Sequence, residues 1–196
     1  MNRLQKFLAC SVLGGLIALG SSSVARADDF TADPVHSFVI FNVHHLGAGY
    51  VYGTFAAGTK GDVSYDKSDP TKTSFNLTVD VSSLDTHNKN RDKDLKGPDF
   101  FDVKQFPDAT FKSTSVKASS DNMMEVTGDF TLHGVTKSIT LNMEMTGTGK
   151  GMKGETRIGF RTTFTINRAD YGVSYDPPPV IGNDVQIVVA VEATQN

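Results

Sequence analysis

Ser74-Phe75-Asn76-Leu77-Thr78-Val79-Asp80-Val81 decides the fold class of this 196-residue chain. Every second residue is apolar and those between are polar, which puts the two sets on opposite faces of an extended strand. An amphipathic helix would space its apolar positions three and four apart. Working outward, Val39, Phe41, Val43 and His45 alternate with Ile40, Asn42 and His44. Ile139, Leu141, Met143 and Met145 alternate with Thr140, Asn142 and Glu144. Phe160, Phe164 and Ile166 share one parity, and Val185, Ile187, Val189 and Val191 another. Antiparallel strands with one wet face carry this pattern.

Turn residues punctuate the runs: Gly58 to Gly61, Asp69-Pro70, Asp121-Asn122, His133-Gly134 and Gly147 to Gly154. Strands are expected at 36–46, 50–66, 73–82, 109–118, 122–132, 135–148, 154–168 and 184–194. The second is one long strand bent at Gly58 and Gly61, which makes eight in all. From Asp85 to Val103 the alternation disappears, charges cluster, and Leu95, Phe100 and Phe101 remain apolar. A short helix near 88–95 inside an insert at 88–103 is predicted, placed to plug or lid one end of the sheet. Eight strands with one apolar parity can form a sandwich or close into a barrel. Closure removes edge strands and favours the barrel: all-β, single-domain, antiparallel. The absence of Trp argues against an outer-membrane barrel with its aromatic girdles.

Arg3 and Lys6, the apolar run Phe7 to Gly20, and Ala25-Arg26-Ala27 are built like a cleavable secretory signal. The run is shorter than the roughly 20 residues of a spanning helix. Residues 1–27 are therefore expected to be removed, leaving a domain at 28–196 in the periplasm. Cys10, the only cysteine, would leave with the signal, so no disulfide and no catalytic thiol remain. Loss of Arg3, Lys6 and Arg26 takes the formal charge from −3 to −6. No basic stripe is left for nucleic acid.

His36-Ser37, Phe41, Val43, His45-Leu46-Gly47, Gly53 and Phe55 open a longer pattern. It continues through Asp85-Thr86, Arg91-Asp92, Leu95, Asp99-Phe100-Phe101 and Phe106-Pro107. Gly128, Thr131-Leu132, Gly134-Val135-Thr136-Lys137, Gly159-Phe160, Arg168 and Asp170-Tyr171-Gly172 complete it. In order and spacing this resembles the YceI family, from about Asp33 to Val191. The resemblance implies a lipocalin-like barrel that binds a polyisoprenoid-type lipid. Two positions depart from the family: Asp94 stands where relatives often have His, and Ser138 where they often have Pro. The first puts in doubt any role that needs an imidazole there.

By parity alone the inward apolar residues fit a packed core as well as a cavity. With the resemblance they become candidate lipid contacts. They are Phe41, Val43 and His45; Val51 and Phe55; Phe75, Leu77 and Val79; Phe100 and Phe101 of the insert; Phe130; Leu141 and Met143; and Phe160 and Phe164. His45 is the polar member of its parity, either meeting a head group or hydrogen-bonded in the wall. Arg91 and Arg168 are candidate head-group contacts, with loop-anchoring ion pairs the plainer role. His44 and His45 face opposite sides of a strand and cannot share one metal, and no spacing of His36, His87 and His133 supports a metal site. Gly149 to Gly154 matches a dinucleotide pattern without the helix its mechanism needs. No nucleophile motif is present, so neither a catalytic residue nor a cofactor is expected. The expected function is binding and carriage of a long isoprenoid, a quinone or polyprenyl phosphate. The alternatives are a surface-acting stress or adhesion protein, and an enzyme acting on a lipid in the same pocket. A homodimer is as compatible with the sequence as a monomer.

Overall fold

In a computed structural model, residues 27–120 and 122–196 are described. The leader expected at 1–27, with Cys10, lies outside the described residues except for Ala27, as does Asp121 of one expected turn. The strands are β1 Asp28–Ala32, β2 Phe38–His45, β3 Gly49–Phe55, β4 Thr59–Tyr65, β5 Ser74–Asp80 and β6 Leu84–Asp85. After the helix α1, Lys89–Leu95, come β7 Asp108–Ser120, β8 Met123–Leu132, β9 Val135–Lys150, β10 Thr156–Asn167 and β11 Ile181–Gln195.

All strand pairs are antiparallel, and β1-β4-β5-β7-β8-β9-β10-β11 closes on itself through β1 and β11. This is the expected eight-stranded barrel, with two of its staves broken. β11 pairs with β1 near its end, Ala193 facing Ala32, and with β2 before that, Ile187 facing Phe41. β1 and β2 thus lie end to end along one neighbour. β3 and β4 do the same against β2 and β1. The expected long strand at 50–66 is therefore β3 plus β4, bent where glycine was expected to permit it. At Gly58 (φ +68°) an added Cβ would lie 2.1 Å from the Pro34 carbonyl oxygen. At Gly61 (φ +122°) it would lie 2.0 Å from that of Asn76. Only glycine tolerates both the dihedral and the approach. β1 was not expected: five residues with two inward apolar side chains, Phe30 and Ala32, are too few to show a period.

One end of the barrel is sealed. Phe30, Val63, Phe75, Val126, Ile158, Phe160 and Ala193 are each at most 3% exposed. Phe75 and Phe160 meet edge to face, centroids 5.0 Å apart at 88°. At the other end the insert carries the expected short helix, α1. Asn88 caps α1 by accepting from the Asn90 and Arg91 backbone N–H groups. The helix stops at Leu95, and the Gly97 carbonyl accepts from the N–H groups of Phe100 and Asp102.

Candidate lipid-binding cavity

Above the sealed layer the barrel is hollow. The cavity measures about 880 Å³ and opens at the end where the β2–β3 turn, the insert after α1 and the 173–181 loop converge. Period two explains its wall. Phe75 and Leu77 share a face of β5, yet only Leu77, one step nearer the mouth, borders the space. On β10, Phe160 is packed in the seal while Thr162 and Phe164 border the cavity.

Most residues predicted from parity do line it: Phe41, Val43 and His45 of β2, Val51 and Phe55 of β3, and Leu77 and Val79 of β5. Phe130, Leu141, Met143 and Phe164 extend the wall, and Phe100 and Phe101 cover it from the insert. Phe101 contacts Phe55 edge-on at 6.4 Å, and Phe100 contacts Tyr175 at 5.3 Å. Phe75 and Phe160 are the correction. They point inward as expected, but at a level where side chains from all around the ring meet and leave no space.

The sequence reading missed part of the wall. Val185, Ile187 and Val189 of β11 border the cavity, and their alternation was legible. Val173 and Tyr175 border it too, from a loop whose sequence carries no period, and so does Ile181 at the start of β11.

The polar groups at the mouth differ in what they can offer. Arg168, 5% exposed, spends all five N–H donors on backbone carbonyls. Nε donates to Gly182, Nη1 to Val173 and Tyr175, and Nη2 to Asp176 and Ile181, at 2.7–3.1 Å. Burial pushes its pKa down, and Asp176 counters the shift. The guanidinium borders the cavity as a charge, with no hydrogen-bond donor left for a head group. Its work is to hold the 173–182 segment onto the rim, the plainer of the two roles the sequence allowed, through backbone carbonyls and not an ion pair. Arg91 is freer. Nε donates to Thr86 Oγ1 (2.8 Å) and Nη2 to the Thr86 carbonyl (2.7 Å). Asp92 accepts from the Thr86 N–H and hydroxyl, which holds its carboxyl below the usual range. Arg91 and Asp92 thus anchor the insert by gripping Thr86, not each other. Nη1 of Arg91 has no partner among the described residues, and Arg91 borders the cavity. His45 stands exposed at the rim, while His44 points outward against Tyr50, rings 4.9 Å apart.

A second polar cluster lies outside the cavity. Arg157 bridges Asp33 (2.9 Å) and Glu192 and also meets Glu155. His36 Nδ1 lies 2.8 Å from Asp33. Ligand atoms of Asp33, His36 and Glu192 fall within 4.8 Å of one another, a grouping the sequence did not suggest. The guanidinium already bridges the two carboxylates, which makes the cluster a clasp between β1–β2 and β10–β11.

The block Gly134 to Lys137 is also structural. Gly134 (φ +73°) leaves room for the Phe106 ring. Lys137 pairs with Asp170 at 3.0 Å and lies over the Tyr171 ring at 5.6 Å. Tyr171 packs on Phe130 at 5.4 Å. These contacts clamp the β8–β9 hairpin onto the turn that carries Arg168.

The sequence matches the YceI-like domain over residues 30–193. The chain belongs to the YceI family. Protein YceI of Salmonella arizonae is 35% identical over 192 residues, covering 98% of this chain and 99% of its own length. Burkholderia cenocepacia BcnA superposes on this YceI-family barrel with a TM-score of 0.75 and 25% identity, over 83% of this chain and 99% of BcnA. A polyisoprenoid binding domain from Saccharophagus degradans, 16% identical, shares the fold with a TM-score of 0.66, over 85% of this chain and 98% of that domain. Among the described residues no helix is long and apolar enough to cross a membrane.

Proposed function

We propose that this chain is a periplasmic carrier of a long-chain isoprenoid lipid, a quinone or polyprenyl phosphate, rather than an enzyme. The observation that carries this is the hollow above the Phe75–Phe160 seal, walled by aliphatic and aromatic side chains. A long apolar chain cannot leave a membrane for water unaided, and such a hollow removes it from solvent. At roughly 30 Å³ per heavy atom, the liquid share of a water molecule, 880 Å³ admits about 30 carbon-sized atoms, or about six isoprene units. Longer chains would trail toward the mouth. There the free Nη1 of Arg91 and the ring of His45 are the groups suited to a phosphate or quinone oxygen. Burial contributes about 0.8 kcal/mol per methylene before ordering losses, so grip needs few directional contacts. The family, and the polyisoprenoid binding domain that shares the fold, support this ligand class. The signal-like leader supports the compartment.

The test is gentle purification from the native compartment, organic extraction and mass spectrometry. A stoichiometric prenyl lipid is expected. An empty extract from a barrel that also refuses added quinones and polyprenyl phosphates would instead support a protein that works through its surface.

A further inference from the structure

The two ends of the barrel differ in what they show to solvent. Among the described residues, Met152 is the only large apolar side chain exposed at the sealed end. At the mouth, Leu46 is 60%, Tyr50 62%, Tyr175 50% and Val180 38% exposed. Pro177, Pro178 and Pro179, between the last two, are exposed as well. The β2–β3 turn and the 173–181 loop that carry them meet where the Leu46 N–H donates to the Val180 carbonyl at 2.9 Å. Tyr175 and Ile181 border the hollow, so the apolar rim runs into the cavity wall without a break. Leu46 is held out at some cost. Leu46 and Gly47 have φ of +52° and +65°, and the Ala48 N–H donates to the His45 carbonyl across them. A hairpin turn with both central residues at positive φ favours Asn-Gly or Asp-Gly. A leucine there is strained.

The backbone of the rim is spent inside the protein. Pro177, Pro178 and Pro179 bring no N–H, and the Val180 N–H donates to the Pro177 carbonyl. The carbonyls of Val173, Tyr175, Asp176, Ile181 and Gly182 are those that Arg168 takes. A loop facing water has no need of such pairing, because water satisfies its polar groups. A loop that enters the boundary of a hydrocarbon phase does need it.

We propose that this rim docks the open end of the barrel on the surface of a phospholipid bilayer. Leu46 and Val180 dip below the head groups, Tyr50 and Tyr175 stay among them, and the cavity opens onto lipid. Tyrosine suits that level, with an apolar ring and a polar tip. Of the charged groups that border the cavity, Arg91, Lys93 and Arg168 are matched by Asp94, Asp99 and Asp176. Apolar contact therefore holds the rim down, and an uncharged bilayer suffices. A partner protein fits less well, since the rim has spent on itself the backbone groups with which an interface makes hydrogen bonds. The purpose of docking rests on the carrier reading above, because only cargo drawn from a membrane calls for a mouth that meets one.

The test is flotation of the purified exported protein with phosphatidylcholine vesicles, at low and at high salt. The rim variants are Leu46→Asp, which the turn geometry favours, and Val180→Asp. The controls are Met152→Asp at the sealed end and Tyr52→Asp on the outer wall of β3, where Tyr52 is 59% exposed. Wild type and both controls are expected to float at either salt. Each rim substitution is expected to lower the partition coefficient about tenfold, as one aliphatic side chain leaves the lipid. Circular dichroism establishes that the variants fold. A wild type that stays in the aqueous fraction overturns the proposal, as does binding indifferent to both rim substitutions. Binding that salt abolishes would be electrostatic, and binding lost in Tyr52→Asp alone would belong to the wall; either overturns it too. Uptake of a fluorescent prenyl probe from solution separates this inference from the carrier reading. Probe bound by a chain that ignores vesicles removes the docking and leaves the carrier. Rim-dependent flotation of a chain that refuses the probe leaves the docking and removes the carrier.

Discussion

Leu77→Asp places a carboxylate on the cavity wall one step above the sealed layer, at a side chain 7% exposed. In the empty barrel water reaches the new charge through the mouth. A bound apolar chain expels that water, and the complex must bury the charge or protonate it. Protonation at pH 7 of a group with an ordinary aspartate pKa costs about 4 kcal/mol, which caps the charge penalty. Lost methyl contact with the ligand adds about 1 kcal/mol. At that cap the two together weaken binding by up to a few thousandfold, about 5 kcal/mol. Because protonation sets the cap, the deficit shrinks about tenfold per pH unit between pH 7 and pH 4. Titration with a fluorescent polyene or prenyl probe measures this without interference, since the chain has no Trp. Val43→Asp, half-buried nearer the mouth, keeps more water in the complex and loses less. An affinity within about threefold of wild type in a folded Leu77→Asp variant, or a loss that ignores pH, would refute the placement of the apolar chain.

Arg168→Met leaves five backbone carbonyls without their donor and is expected to cost about 3–5 kcal/mol. Arg168→Lys, with three donors, recovers only part; a urea midpoint unchanged in both variants would remove Arg168 as the organiser of the rim. Phe160→Ala opens a void in the sealed layer and should cost about 3–5 kcal/mol in the same assay, whereas a loss below about 1 kcal/mol would mean the layer collapses without cost. Asp33 is held at about 2, chiefly by hydrogen bonding to His36 and also to Arg157, against a burial effect that raises it. Its folded pKa lies below its ordinary 3.8, so its contribution is present above about pH 4 and disappears as pH falls toward 2. Asp33→Asn should lower stability at pH 7 by about 1 kcal/mol after screening and flatten the loss between pH 4 and 2; parallel wild-type and variant curves would contradict this.

Much of the barrel was legible in local pattern. Period two at Phe75–Val81 and its repeats sets which side chains point inward. Gly58 and Gly61 mark the bend because only glycine accepts those dihedrals, and the lost alternation after Asp85 marks the insert. The YceI motifs could be found in the sequence, though not their work: Gly134, Lys137 and Tyr171 clamp a hairpin to a turn across more than 30 residues of chain.

Depth along the barrel axis was not legible. Phe75 and Leu77 share a parity, and nothing local says that one closes the barrel while the other borders a hollow. That depends on the registers of all eight staves and on where their side chains meet across the axis. Nor could local sequence show that Arg168 is saturated, since its five partners lie on the loop after Gly172 and on the first residues of β11, which bring that loop back. Alternation records a side chain's preference for one face, a property of neighbours two residues apart. Cavity and seal are properties of strands far apart in sequence, and they come into being only when the ring closes.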